Sequence, residues 1–127
     1  MPSMNHTAFP DEVEQGVKKT SIRAPRRRNE FRVGFPIYHF RGLRTKACRK
    51  IAESICKSIA VIEIDGSGVT VRGKTQDAAA VEKIARADGF KSVGEFVDYF
   101  TLGKRKRLRK KFVGNLIEWK PLKELWK

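Results

Sequence analysis

Lys18, Lys19, Thr20 and Ser21 follow Gly16 in a run that continues through Arg23, Arg26, Arg27 and Arg28. Two chemistries use those residue types at that spacing. A lysine near a hydroxyl can serve as its base, because serine is a poor nucleophile until a neighbouring group takes its proton. Clustered arginines hold phosphate oxygens through paired N–H groups, and lysines add point charge. A solvated basic loop with no chemistry is the third reading. In an extended strand, the odd spacing of Lys18 and Ser21 sends them to opposite faces. Catalysis by that pair therefore requires a bulge or turn.

The whole chain has 127 residues, the size of one domain with one modest core. Its 28 Lys and Arg outnumber 14 Asp and Glu, for a net charge of +14. Net charge speaks to partners rather than to fold. A surplus of this size points to a polyanion, with nucleic acid ahead of an anionic membrane or an acidic protein. The charge is also segregated. From Lys18 to Lys57 there are 13 basic residues and 2 acids, Glu30 and Glu53. From Ser58 to Phe100 there are 7 acids and 5 bases, and Lys104 to Lys111 then carries 7 positive charges in 8 positions. Segregation of this kind can present one basic face, whereas solubilising charge is interspersed.

No apolar run approaches the roughly 20 residues that span a bilayer. The N-terminus lacks a basic start followed by an apolar block, so a soluble cytoplasmic protein is expected. Cys48, Cys56, His6 and His39 have no zinc-like spacing. Two semi-buried free thiols are expected, with no metal and no other cofactor.

Residues 1–9 read as a loose tail, 10–120 as the domain and 121–127 as a second tail. Pro10 with Asp11, Glu12 and Glu14 suits the first turn of a helix, which Gly16 would stop. Lys19 to Arg23 has the content of a short strand. Phe31 to Phe40 is aromatic and β-branched, with Gly34 and Pro36 marking a turn. Val61 to Ile64 and Val69 to Arg72 form a hairpin around a Gly-rich turn. Asp77 starts a helix over Gln76 to Ala87, ended by Gly89. Ser92 and Glu95 can cap a second helix, whose apolar stripe is Val93, Phe96, Val97 and Phe100. Phe112 to Trp119 reads as a last strand. In Arg44 to Ala60, the three- and four-residue spacing of Cys48, Ile51, Ala52, Ile55, Cys56 and Ile59 predicts an amphipathic helix. The inventory is α+β.

Three segments together resemble the ASCH domain family of the PUA-like superfamily, in its phage and bacterial form. Gly16-Val17-Lys18-Lys19-Thr20-Ser21-Ile22-Arg23 is similar to the family's G-x-K-x-x-T-I-R. Ala85-Arg86-Ala87-Asp88-Gly89-Phe90 is similar to its A-x-A-D-G-F. Phe112 to Trp119 is similar to its F-x-G-x-L-I-x-W closing strand. The resemblance spans most of Gly16 to Trp119. It implies a small PUA-like twisted β-barrel flanked by short helices, with a long strand, not a helix, leading into the hairpin. Ser21 stands where the family has threonine, and Gly34-Phe35 where it commonly has Gly-Asp.

Some proteins similar to this one remove the acetyl group from acetylated cytidine with a lysine, a hydroxyl and a carboxylate. Carried over, those roles fall on Lys18, Ser21 and Asp88. Asp88 is one methylene shorter than the glutamate of those hydrolases, and misplacement near 1 Å can cost about 100-fold in rate. The ribonuclease activity also known in the family needs an acid–base pair that the sequence does not reveal. Binding asks for less. Arg23, Arg26, Arg27, Arg28, Arg44, Lys46 and Arg49 would contact nucleic acid, as would Lys104, Arg105, Lys106, Arg107, Arg109, Lys110 and Lys111. Phe31, Phe35, Tyr38 and Phe40 are interleaved with this charge and can stack bases or fill the core. An RNA-binding protein is the expectation, with RNA favoured over DNA by the resemblance. An amidohydrolase is the first alternative. The second is a small regulatory protein that binds a polymerase or ribosome.

Overall fold

A computed structural model describes residues 3–6, 9–24, 30–42, 45–65, 68–102 and 111–121. Its axis is β4 (Arg49–Asp65), a 17-residue strand. One edge of β4 carries β3 (Pro36–Arg41) and then β5 (Gly68–Val71), both antiparallel. The other edge carries β7 (Phe112–Pro121), which pairs with β4 from Ser54 to Ile64. Outside these lie β1 (Ser3–Asn5), parallel to β3, and β2 (Thr20–Arg23), antiparallel to β7. The short β6 (Lys74–Thr75) extends β5. The result is an α+β fold built on one open sheet, with no ladder joining β1 to β2 among the described residues.

The helical spacing in Arg44 to Ala60 is overturned, and the register explains why it arose. Ala52 faces His39 and Lys50 faces Phe40, so Ile51 is an extra residue opposite β3. Cys56 faces Trp119 and Ser58 faces Glu118, so Lys57 is an extra residue opposite β7. Each bulge shifts the two-residue alternation by one position. Cys56 and Ile59, three apart, consequently pack in the same cluster. Two bulges thus imitate a helical period.

Each face of the sheet has its own core. Ile22, Ile62, Ile64 and Val69 meet Val81 and Ala85 of α2 (Ala78–Ala87) and Phe96 and Phe100 of α3 (Val93–Leu102). Met4, Ile37, Cys56, Ile117 and Trp119 meet Phe31 and Val13, the latter from α1 (Pro10–Glu14). Burying each large apolar side chain stabilises the fold by about 1.5–3 kcal/mol. The helix ends follow local chemistry. Pro10 opens α1, Asp77 Oδ1 accepts from Ala80 N at 2.8 Å at the start of α2, and Ser92 Oγ accepts from Glu95 N at 3.2 Å before α3.

Within the expected tail, residues 3–5 form a strand. Met4 is fully buried and Ser3–Asn5 pair with β3, because that edge of the sheet and an apolar slot are both open to an extended segment. Both cysteines are free thiols, but Cys48 is exposed and only Cys56 is buried. Among the described residues, no helix is long and apolar enough to cross a membrane.

Candidate functional site

The outer strands β1 and β2 approach each other, and a cleft lies beside them. Arg23 on β2 reaches across with Nη2 donating to the carbonyl of Asn5 on β1 at 2.7 Å. The cleft has a volume of about 110 Å³ and is lined by residues of β2, α3 and the end of α2, and by His6, Phe9, Lys18 and Phe90 from the connecting segments.

Lys18 enters it from the turn between α1 and β2. Gly16 takes φ +79°, a left-handed conformation that favours glycine. The N–H groups of Val17 and Lys18 then both donate to Glu12 O at 2.9 Å. Lys18 therefore precedes β2 and escapes its alternation, so it shares the cleft with Ser21 despite their odd spacing. The required turn is present.

Asp88 caps the C-terminal end of α2, where its N–H donates to Ile84 O at 3.1 Å. The next residue, Gly89, has φ +104°, and a Cβ there would meet the Phe9 ring at 2.8 Å. Only glycine lets Phe9 close over this helix end. A helix C-terminus carries partial negative charge and disfavours an anion. Asp88 sits there nonetheless, 3% exposed.

Its partner is Lys18, whose Nζ lies 3.1 Å from Oδ1 and 5.1 Å from the Phe9 ring centroid. The ion pair lies outside hydrogen-bond geometry, which leaves buried Oδ1 with no directed donor among the described residues. Burial pushes the Asp88 carboxyl up to about 6, against the opposing pull of Lys18 and Arg23. Burial also pushes the Lys18 ammonium below its usual range, with Asp88 opposing. Both groups are therefore held closer to neutrality than they would be in water.

Ser21, 4% exposed, accepts from Arg23 Nε at 2.9 Å. That contact leaves the hydroxyl proton available to an acceptor, and the guanidinium would stabilise an alkoxide. Aromatic rings form the opposite wall. Phe90 contacts Phe9 at a centroid distance of 5.2 Å and Tyr99 at 5.3 Å, with Tyr99 half exposed. His6 completes the lining.

Lys18, Ser21, Asp88 and Arg23 are thus brought together, whereas the other described basic candidates are not cleft residues. Lys46 is exposed, Arg49 pairs with Glu14 at 2.9 Å and Lys111 pairs with Glu63 at 3.0 Å. Arg26, Arg27, Arg28, Arg44, Lys104, Arg105, Lys106, Arg107, Arg109 and Lys110 lie outside the described residues. Of the four aromatics interleaved with basic charge, Phe31 is buried and Phe35 is exposed. Sequence reasoning missed His6, Phe9 and Tyr99. Phe9 left one signal, since a glycine after Asp88 marks a close approach. No protein family matches the chain, and neither does any curated protein or solved structure.

Proposed function

We propose that this chain is an ASCH-like RNA-binding protein, a PUA-like barrel whose unzipped seam holds one base. The observation that carries this reading is the buried Lys18–Asp88 pair facing aromatic rings in a chain of charge +14. Lys18 supplies a donor and Asp88 an acceptor side by side, the complement of a base edge with a carbonyl beside a ring N–H. Phe90 and Tyr99 offer π-faces on which a base can stack. At about 110 Å³ the cleft is far smaller than the ~300–1,000 Å³ of drug-sized sites, so it suits one planar base. Basic segments hold the phosphates and position the strand.

The test is binding of short RNAs across a salt series. Log affinity should fall nearly linearly with log salt as counterions are released, and a flat response would remove the electrostatic basis. Replacing Lys18 by Met together with Asp88 by Leu leaves net charge unchanged. It should weaken base-dependent binding while sparing the salt slope. Converting Arg26, Arg27 and Arg28 to Ala should lower the slope. A nuclease-resistant complex with a protein partner, with no RNA affinity, would favour the regulatory-protein reading.

One observation favours a second reading, amidohydrolysis of acetylated cytidine. Arg23 holds Ser21 Oγ beside a lysine that burial has made a weaker acid-holder. Ser21 Oγ would attack the acetyl carbon as Lys18 takes its proton. The proton would pass to the leaving amine, and water would then release acetate from the acyl-serine. Acetate release by the protein, lost in Ser21→Ala, supports this reading. No release at high protein concentration ends it.

A further inference from the structure

His6 is a polar cleft residue with no role in base binding or amidohydrolysis as described, and it belongs to a buried chain. Its Nε2 lies 2.8 Å from Nδ1 of His39, and Nε2 of His39 lies 2.7 Å from Oγ of Ser54. The three residues are 3%, 0% and 1% exposed. They tie the end of β1 through β3 to β4, and at the far end Ser54 lines a second cavity with Glu53 and Trp119. Burial, the main cause, holds both imidazoles neutral, with His6 lowered to about 2 and His39 to about 3. A neutral imidazole carries one N–H and one lone pair, so the chain has two polarities. In the first, His6 Nε2–H donates to His39 and His39 Nε2–H donates to Ser54, which makes His6 Nδ1 an acceptor. In the second, the Ser54 hydroxyl donates to His39 and His39 Nδ1–H donates to His6, which makes His6 Nδ1 a donor.

We propose that His6 is a third polar contact for the ligand of this cleft, with His39 and Ser54 as positioning residues that let its Nδ1 meet a base as donor or as acceptor. This rests on the base-binding reading above. Lys18 and Asp88 present one fixed donor and one fixed acceptor, whereas the histidine chain adapts by reversing as a unit. Uracil and guanine both offer a carbonyl beside a ring N–H, which Lys18 and Asp88 can meet alike. At the next position uracil has a carbonyl and guanine an amino group, so a contact that reverses should let the cleft tolerate both.

The full-length protein with ¹⁵N-labelled histidines would be titrated at low salt with hexauridylate and with hexaguanylate, the latter in lithium buffer that keeps it single-stranded. Both RNAs should move the ring-nitrogen resonances of His6 and His39 together, with opposite tautomers in the two complexes. Ser54→Ala removes the terminal partner. It should abolish the inversion and create a preference between the two RNAs of about three- to tenfold, the worth of one hydrogen bond. Ser54→Thr, which keeps a hydroxyl, should restore the wild-type pattern. RNA that binds while the histidine nitrogens stay unmoved would overturn the inference, as would a Ser54→Ala protein with an unchanged pattern and no preference. If neither RNA binds, the RNA-binding reading itself falls and this inference with it.

Discussion

Two ion pairs of nearly equal length, in two parts of the molecule, have opposite physical meaning. Lys18 and Asp88 are 3.1 Å apart with side chains 7% and 5% exposed, whereas Arg49 and Glu14 are 2.9 Å apart and 54% and 36% exposed. The surface pair has better geometry, since two guanidinium nitrogens each donate to one carboxylate oxygen. Water and salt already solvate and screen both of its charges, so little stability depends on it. The buried pair forfeits hydration on both sides and is held at a helix end of the wrong sign. Well-packed apolar residues would serve the fold as well. Stability alone therefore does not account for its presence.

The sharpest way to break this comparison is to remove one partner. Asp88→Ala leaves a buried ammonium, and urea denaturation should show a loss of about 3–5 kcal/mol. The paired change Lys18→Met with Asp88→Leu should return stability to near wild type while base-dependent binding stays lost. A double variant as unstable as the single would mean that the pair is structural after all.

Acidity offers a smaller and signed effect. The Asp88 carboxyl titrates near 3.8 when free and at about 6 in the folded protein. Between those values the native state holds more of the proton, so stability contributed by this group falls as pH rises from about 4 to 6. Asp88→Asn should flatten that part of the profile in denaturation measured pH by pH. Base binding should instead rise through pH 6, as the carboxylate acceptor forms. A wild-type profile matching that of Asp88→Asn would show the carboxyl to be normally solvated.

The smallest effect belongs to the surface. Arg49→Ala should leave the melting temperature within measurement scatter and change RNA affinity no more than loss of any one basic side chain. A large drop in melting temperature would erase the contrast between the two pairs.

Much of the local architecture was legible before any tertiary contact. Pro10, Asp77 and Ser92 each begin a helix, and Val61 to Arg72 contains the hairpin around its turn. Caps and tight turns are settled by groups within about four residues of each other. The candidate triad was legible only through its likeness to a family motif. Spacing alone sent Lys18 and Ser21 to opposite faces, because it could not reveal that the strand begins after Lys18, at Thr20.

What tertiary structure alone decided lies at longer range. The bulges at Ile51 and Lys57 exist only against β3 and β7, so no window of Arg44 to Ala60 could distinguish their pattern from a helix. His6 and His39, 33 positions apart, looked like unrelated residues until β1 docked beside β3. Lys18 and Asp88 meet because a turn after α1 and the end of α2 converge on one seam of the sheet. By itself, the sequence determined where the chain turns, where its helices start and how much positive charge it carries. Burial set the rest: it is a property of neighbours distant in the chain, and it shifts the acidity of an otherwise ordinary lysine, aspartate and two histidines.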